Sequence, residues 1–216
     1  MLKLATYPLL ILLCLSARAG ELEAVVKDRK GRPVADAVVL AVPMDPKNLG
    51  RAKLLPDAMD QVDKQFVPFV KPVLIGSTVR FPNSDNIRHQ VYSFSAAKKF
   101  ELPLYAGTEA AAVVFDRAGV VVLGCNIHDW MIGYIYVSDT PYFAKTDSGG
   151  RALIADLPAG DYTVRVWHPG LEVSEESTKR VAKVAAGLAA SVEYQLSLRP
   201  VIRVPRVSGA AAPVYP

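Results

Sequence analysis

Apolar and polar residues alternate along 21–27 (ELEAVVK), the two-residue period of a half-buried strand, and Asp28-Arg29-Lys30-Gly31 then supplies a turn into a second strand over 33–42. Residues 66–74 and 78–81 are apolar and β-branched and are separated by Gly76 and Ser77; 90–94 reads as a short strand. The stretches 110–115 and 120–123 flank Asp116-Arg117-Ala118-Gly119, which predicts a hairpin. Strands are also predicted over 132–137, 152–154, 160–167 and 191–198, the last placing Val192, Tyr194, Leu196 and Leu198 on one face. Lys98-Lys99 reads as a solvated turn. Residues 43–60 carry three prolines and no clean period, so a loop with room for one helical turn is expected. Many short strands with frequent turns and almost no helix predict an all-β protein built of antiparallel sandwiches.

The first nineteen residues do not belong to that pattern. Lys3 precedes an apolar run over 9–15, and Ala17-Arg18-Ala19 has small residues where a signal peptidase cuts. The run is about half of the ~20 residues a membrane-spanning helix needs. Residues 1–19 are therefore expected to be a cleaved signal peptide that sends the chain to the periplasm, with Gly20 the first mature residue. Cys14 raises a lipoprotein alternative, for which Leu13 is a poor neighbour. Removing Lys3 and Arg18 from the 25 basic residues leaves 23 against 21 acidic ones, a net charge of +2. That near-neutral balance, without any basic run interleaved with aromatics, gives no case for nucleic acid. No second apolar stretch is long enough to span a membrane. The tail 199–216, with four prolines and three arginines, has no packing pattern and is expected to be flexible.

Without Cys14, Cys125 is the one cysteine left, and it cannot form a disulfide within the chain. It stands in GCNIHDWMIGYIYV (124–137), with His128 three positions on and Met131 three beyond that. A strand-joining loop can turn side chains at this spacing toward one centre, and His89, in FPNSDNIRHQVYSF (81–94), would join from a neighbouring strand. A thiolate, two imidazoles and a thioether suit copper; zinc more often takes a closed set of cysteines and histidines. A trigonal His, His, Cys set with a weak axial methionine is the blue-copper geometry, whose role is electron transfer. The four donors leave no position for substrate, so the chain is expected not to be an enzyme. His168 has no partner at ligand spacing.

Residues from about 66 to 137 resemble a cupredoxin. Cys125-Asn126-Ile127-His128-Asp129-Trp130-Met131 has the ligand-loop spacing of the amicyanins, and Gly76-Ser77-Thr78-Val79, Phe81, Asn83, Asp85, His89 and Val91 resemble the upstream part of the fold. The resemblance implies a Greek-key β-sandwich and one type 1 copper ion held by His89, Cys125, His128 and Met131. It also implies that Asn83 helps to hold the ligand loop and, with loop amides, hydrogen-bonds the sulfur. Proline is common between such ligands; here Asn126, Ile127, Asp129 and Trp130 stand instead. An oxygen donor such as Gln65 or Glu101 is an alternative to Met131. The flanks, GELEAVVKDRKGRPVADAVVLAVP (20–43) and TDSGGRALIADLPAGDYTVRVWHPG (146–170), resemble carboxypeptidase-regulatory-like, transthyretin-related sandwiches.

The two resemblances together imply a cupredoxin domain over 60–140 inserted into a discontinuous second Ig/transthyretin-like sandwich over 20–45 and 141–198. Predicted periplasmic copper proteins of methylamine-utilisation type share this mixture. The implied function is shuttling single electrons between a redox partner (a dehydrogenase, cytochrome c or oxidase), docking near His128 and Trp130, and an acceptor. An alternative is a copper-binding or a partner- or carbohydrate-binding module whose metal site serves storage, delivery or structure. A Cys–His nucleophile is a third reading, with no oxyanion hole in view.

Overall fold

The computed structural model describes residues 19–50, 54, 56–107 and 112–201; the leader apart from Ala19, and the tail beyond Val201, lie outside the described residues. Within that range the protein is all-β, interrupted only by single 3₁₀ turns at Pro46–Asn48 and Glu175–Thr178.

Two apolar cores account for most of the strands. The first is drawn from both ends of the chain. Strand Gly20–Asp28 lies between Arg151–Leu157, antiparallel to it, and Ala189–Leu196, parallel to it. Facing this sheet is a second one in which Val38–Pro43 and Gly160–Trp167 pair at the centre, with Phe143–Lys145 and Arg180–Val184 at the edges. The alternation read from the sequence turns Leu22, Ala24 and Val26 inward onto Val39, Ala41, Val164 and Val166, with Tyr162 and Tyr194 filling the same core.

The second core belongs to residues 59–137. Strand Gly133–Ser138 pairs antiparallel with Gly119–Leu123 and parallel with Val70–Leu74. Ser77–Arg80 pairs with Ala112–Phe115 and with Asp57–Ala58, and His89–Ser95 forms a hairpin with Lys98–Tyr105. Phe66, Phe81, Phe115, Leu123 and Ile135 are fully or almost fully buried between these sheets.

Several local expectations change. The turn at Asp116–Gly119 does not close a hairpin: Ala112–Phe115 pairs with Ser77–Arg80, whereas Gly119–Leu123 pairs with Gly133–Ser138, so the turn carries the chain from one sheet to another. Turn residues fix a reversal of direction but not the partner of either strand. Lys98 and Lys99 open an eight-residue strand rather than a turn, with Lys98 Nζ 3.0 Å from Asp116 Oδ1. The apolar run 66–74 is two strands, Gln65–Val67 and Val70–Leu74, with Pro68 at the break, where it has no N–H to give a ladder. Not all pairing is antiparallel: Ala189–Leu196, Val70–Leu74 and Asp57–Ala58 each run parallel to a partner strand.

A third apolar cluster joins the two cores. Strand Val38–Pro43 is buried on both faces: Val39 and Ala41 enter the first core, while Val38 and Leu40 turn outward onto Phe69, Val70 and Tyr136. Trp167 lies 5.8 Å from the Tyr134 ring and 5.4 Å from the Tyr136 ring. A polar bridge closes the contact. Tyr136 Oη donates to Glu175 Oε1 at 2.6 Å, Arg165 Nε reaches the same oxygen at 2.6 Å, and Arg165 Nη2 reaches Asp139 Oδ1 at 2.6 Å. Burial, and then the neighbouring Glu175 carboxylate, hold the Tyr136 phenol well above the usual range. Tyr136→Phe, which strips a hydrogen bond to a charged acceptor, should cost about 1.5–3 kcal/mol of unfolding free energy in denaturant titration; an unchanged midpoint would mean that the bridge contributes nothing to stability.

Candidate metal centre

Two strands and one loop build the site. His89 is the first residue of strand His89–Ser95, and Cys125, His128 and Met131 follow strand Gly119–Leu123 on the loop leading into Gly133–Ser138. The strands are tied together beside the cysteine: Tyr92 N–H donates to the Gly124 carbonyl at 3.1 Å, and Gly124 N–H to the Tyr92 carbonyl at 3.0 Å. Gly124 leaves room there for the end of the Tyr92 side chain, which any larger residue would have to push aside. A Cβ on residue 124 would lie 2.7 Å from the Tyr92 ring and hydroxyl. Within the loop, Met131 N–H donates to the His128 carbonyl at 2.9 Å, turning the chain back so that Met131 re-enters the core.

The arrangement brings the predicted donors together. His89 is fully buried, Cys125 and Met131 almost so, and His128 keeps an exposed edge of 8%. The donor atoms of His89, Cys125 and His128 all lie within 4.8 Å of one another. Cys125 Sγ is 3.8 Å from His89 Nδ1 and 4.0 Å from His128 Nδ1. Taking metal–sulfur and metal–nitrogen bonds of about 2.3 and 2.05 Å, an S–metal–N angle of about 120° separates sulfur from nitrogen by about 3.8 Å, and a tetrahedral angle by about 3.6 Å. The His89 separation of 3.8 Å matches the trigonal angle, and the His128 separation of 4.0 Å corresponds to a still wider one, about 134° with the same bond lengths. Together with a buried thioether, this donor set fits copper.

His89 is held by a residue to which the sequence pattern assigned no role. Its Nε2 lies 2.7 Å from Asp85 Oδ2. A neutral ring with its proton on Nε2 therefore leaves the Nδ1 lone pair facing Cys125. The Asp85 carboxylate also accepts the backbone N–H groups of Asp63 (2.7 Å) and Lys64 (2.9 Å). Asp63 and Lys64 have φ of 52° and 56°, the left-handed pair that a tight two-residue hairpin turn requires, and they join strands Asp60–Val62 and Gln65–Val67. Burial works against the Asp85 charge, but the Lys64 N–H, His89 and the Asp63 N–H outweigh it and lower the carboxyl pKa.

The electrostatics polarise the cysteine. Burial alone would raise its thiol pKa, yet His89 and the backbone N–H groups of Gln90 and Ile127 bring it below the ordinary value. Burial opposes charge on His89, while Cys125 and Asp85 outweigh it and raise its pKa. His128 goes the other way, lowered by burial and by the nearby His89 and Lys64. A metal takes up thiolate and neutral imidazole, so the shifts at Cys125 and His128 favour binding, whereas at His89 a metal must displace a proton that Cys125 and Asp85 help to hold.

Asn83 is buried beside this group, but its amide does not reach the sulfur. Both of its donors are spent on carbonyls, those of Ile87 (2.8 Å) and Tyr105 (2.9 Å), and its oxygen accepts the Asp85 N–H at 3.0 Å. It braces the turn that carries Asp85; the sulfur's amide partners are Gln90 and Ile127. Glu101 is exposed and bound to Gln90 Nε2 at 2.5 Å, and Gln65 is only part-buried, whereas Met131 is inside the core. Gln61, fully buried and bonded to Tyr105 Oη at 2.6 Å, is a side chain that sequence reasoning missed. His168 stands apart: its Nδ1 accepts the Gly170 N–H at 3.0 Å, which braces a turn.

An all-β chain with a buried His, Cys, His and Met cluster is thus the class that fold and site define. The chain is similar, over 45% of its length, to a copper-containing nitrite reductase from Thermus scotoductus SA-01, at 27% identity and a TM-score of 0.38. It spans 27% of that reductase chain. It is also similar to a purple cupredoxin from Nitrosopumilus maritimus (22% identity, 38% of this chain and 99% of that one, TM-score 0.34). A P94F mutant of amicyanin in its reduced state is similar too (20% identity, 46% of this chain and 99% of that one, TM-score 0.36). No family model matches the chain, and no curated relative does. The expectation that the chain is not an enzyme is corrected here, because the proteins it is similar to include one named a reductase, so an absence of catalysis does not follow from this fold. Among the described residues, no helix is long and apolar enough to cross a membrane.

Proposed function

We propose that the chain is an exported, periplasmic type 1 copper protein that carries single electrons between redox partners, with His89, Cys125, His128 and Met131 as ligands. The observation that carries this reading is the convergence of His89 Nδ1 and His128 Nδ1 on Cys125 Sγ, at 3.8 and 4.0 Å, separations that one shared metal ion would span. Bound copper would supply a Cu(I)/Cu(II) couple. The protein's share of the work is to fix the donors. Asp85 orients His89, the Tyr92–Gly124 pair fixes the start of the loop, and burial of Cys125 and Met131 keeps water out. Such pinning favours one geometry in both oxidation states, so little rearrangement accompanies transfer.

Electrons cross at the 8% exposed edge of His128, beside Trp130 at 5.2 Å and the exposed Ile127. The redox partner, a dehydrogenase, cytochrome c or oxidase, docks there. The deep burial of both sulfurs favours this reading over copper delivery, which needs a donor that can be reached. The separate cores support a copper domain over 60–140 inserted into a discontinuous carboxypeptidase-regulatory-like sandwich over 20–45 and 141–198, a mixture in keeping with methylamine-utilisation-type proteins.

The test is the absorption spectrum of the copper-loaded, oxidised protein. An intense visible thiolate-to-copper band at one copper per chain, bleached by one electron, is the expected result; zinc or copper(I) binding without that band would falsify the proposal. Met131→Gln should keep copper bound and lower the reduction potential, since an amide oxygen favours the oxidised ion over a thioether. The shift should be on the order of 59 mV, tenfold in a one-electron equilibrium. An unchanged potential would mean that Met131 is not axial.

A further inference from the structure

The first sandwich carries a cleft of about 760 Å³, away from the metal centre. Three chain segments wall it: the turn over 28–35 after strand Gly20–Asp28, the turn over 168–172, and residues 196–200 leaving the last strand. These segments are locked to one another. Arg199 N–H donates to the Gly170 carbonyl at 2.8 Å, and Glu172 N–H to the Ser197 carbonyl at 3.0 Å. Inside the first turn, the Asp28 carboxylate accepts Lys30 N–H (2.8 Å), Arg32 N–H (2.9 Å) and Arg32 Nε (2.7 Å).

The charges lining this cleft are unevenly matched. Its two acids are already engaged, Asp28 as above and Glu172 by the Ser197 hydroxyl. Of its four cations, only Arg32 has an acidic partner. Arg29, Lys30 and Arg199 border the cleft, and their side chains form no ion pair or hydrogen bond among the described residues, although the Arg199 charge also acts on the Tyr134 phenol outside it. The lining therefore holds two more positive than negative charges, on walls that also include Val34, Leu196 and Leu198. Unpaired like charges around one concave, partly apolar surface repel one another, and an anion seated among them removes that cost. Guanidinium groups, planar and forked, match carboxylate and phosphate oxygens in particular.

We propose that this cleft binds an oxyanion, a carboxylate or phosphate group presented by a small molecule or by an acidic segment of a partner protein, with Arg29, Lys30 and Arg199 as its contacts. The flanking sandwich is then a recognition module attached to the copper domain, and this role stands whether or not the metal site carries electrons.

Calorimetric titration of the full chain from Gly20 with inorganic phosphate, citrate and an octaglutamate peptide tests it. At least one should bind saturably at one site, with an affinity that falls as salt is raised. The double variant Arg29→Ala, Arg199→Ala should weaken that binding about tenfold or more, as expected for lost hydrogen bonds to a charged group, at an unchanged unfolding temperature. Binding of phosphate or citrate at least as tight as the peptide assigns the site to a small anion; markedly tighter peptide binding assigns it to a protein segment. No saturable binding of any probe at millimolar concentration, or equal binding by the double variant, overturns the proposal.

Discussion

Replacing Cys125 with serine should abolish the visible band of the copper-loaded protein outright while leaving the fold intact. The band depends on a thiolate donating charge to the metal, and the hydroxyl of serine, which stays protonated at neutral pH, has no comparable donor orbital. The structural cost should be small. Cys125 is 3% exposed and sits at the edge of the second core, where serine is nearly isosteric and can use the N–H groups of Gln90 and Ile127 that now face the sulfur. Far-ultraviolet circular dichroism and the unfolding temperature should therefore stay close to those of the parent chain. If the band survives in Cys125→Ser, the thiolate is not the ligand and the blue-copper assignment fails.

The second large effect is expected at Asp85. Its carboxylate ties the His89 ring to the Asp63–Lys64 turn, and its backbone N–H donates to Asn83 Oδ1. Asp85→Ala leaves His89 Nε2 without its acceptor, so the ring loses the contact that fixes its tautomer and aims Nδ1 at Cys125. Loss of such outer partners typically costs 10–100-fold in metal affinity. Competition with a chelator of known affinity should show a loss in that range for the Ala variant. A smaller loss is expected for Asp85→Asn, whose amide oxygen can still accept the Nε2 proton. An affinity within twofold of the parent for Asp85→Ala would show that His89 is held by its strand alone.

Both predictions depend on residues that were unequally legible in the sequence. Cys125, His128 and Met131 share one loop, and donors at two-residue gaps need only a tight turn to converge, so local spacing was enough to suggest a centre. His89 stands 36 residues from Cys125, yet it opens a strand, and the nearby Asn83 and Asp85 resemble the upstream part of a known fold. What spacing did not convey was the function of Asp85. Its bond to His89 is local, but the hairpin that clamps its carboxylate is more than twenty residues away. Asn83 misled for a similar reason: a buried amide was expected to serve the sulfur, and it instead satisfies the carbonyls of Ile87 and Tyr105.

The fold divides along the same line. Alternation alone placed Leu22, Ala24 and Val26, and likewise Val192, Tyr194 and Leu196, on inward faces, because a strand's side-chain period is fixed by its backbone. Pairing is another matter. The turn Asp116–Gly119 has every local mark of a hairpin, but its flanking strands join different sheets, because partners are chosen by burial of both faces across the whole molecule. The outward burial of Val38 and Leu40 under Tyr136 was equally out of reach, since nothing in a single strand says that its second face will also be covered. The sequence by itself thus determined the all-β class, the inward faces and the grouping of Cys125, His128 and Met131 on one loop, all set by local periodicity and spacing. Only the tertiary structure decided which strands pair, how two cores join across Tyr136 and Trp167, and that Asp85 holds His89 from behind, because each depends on contacts between segments far apart along the chain.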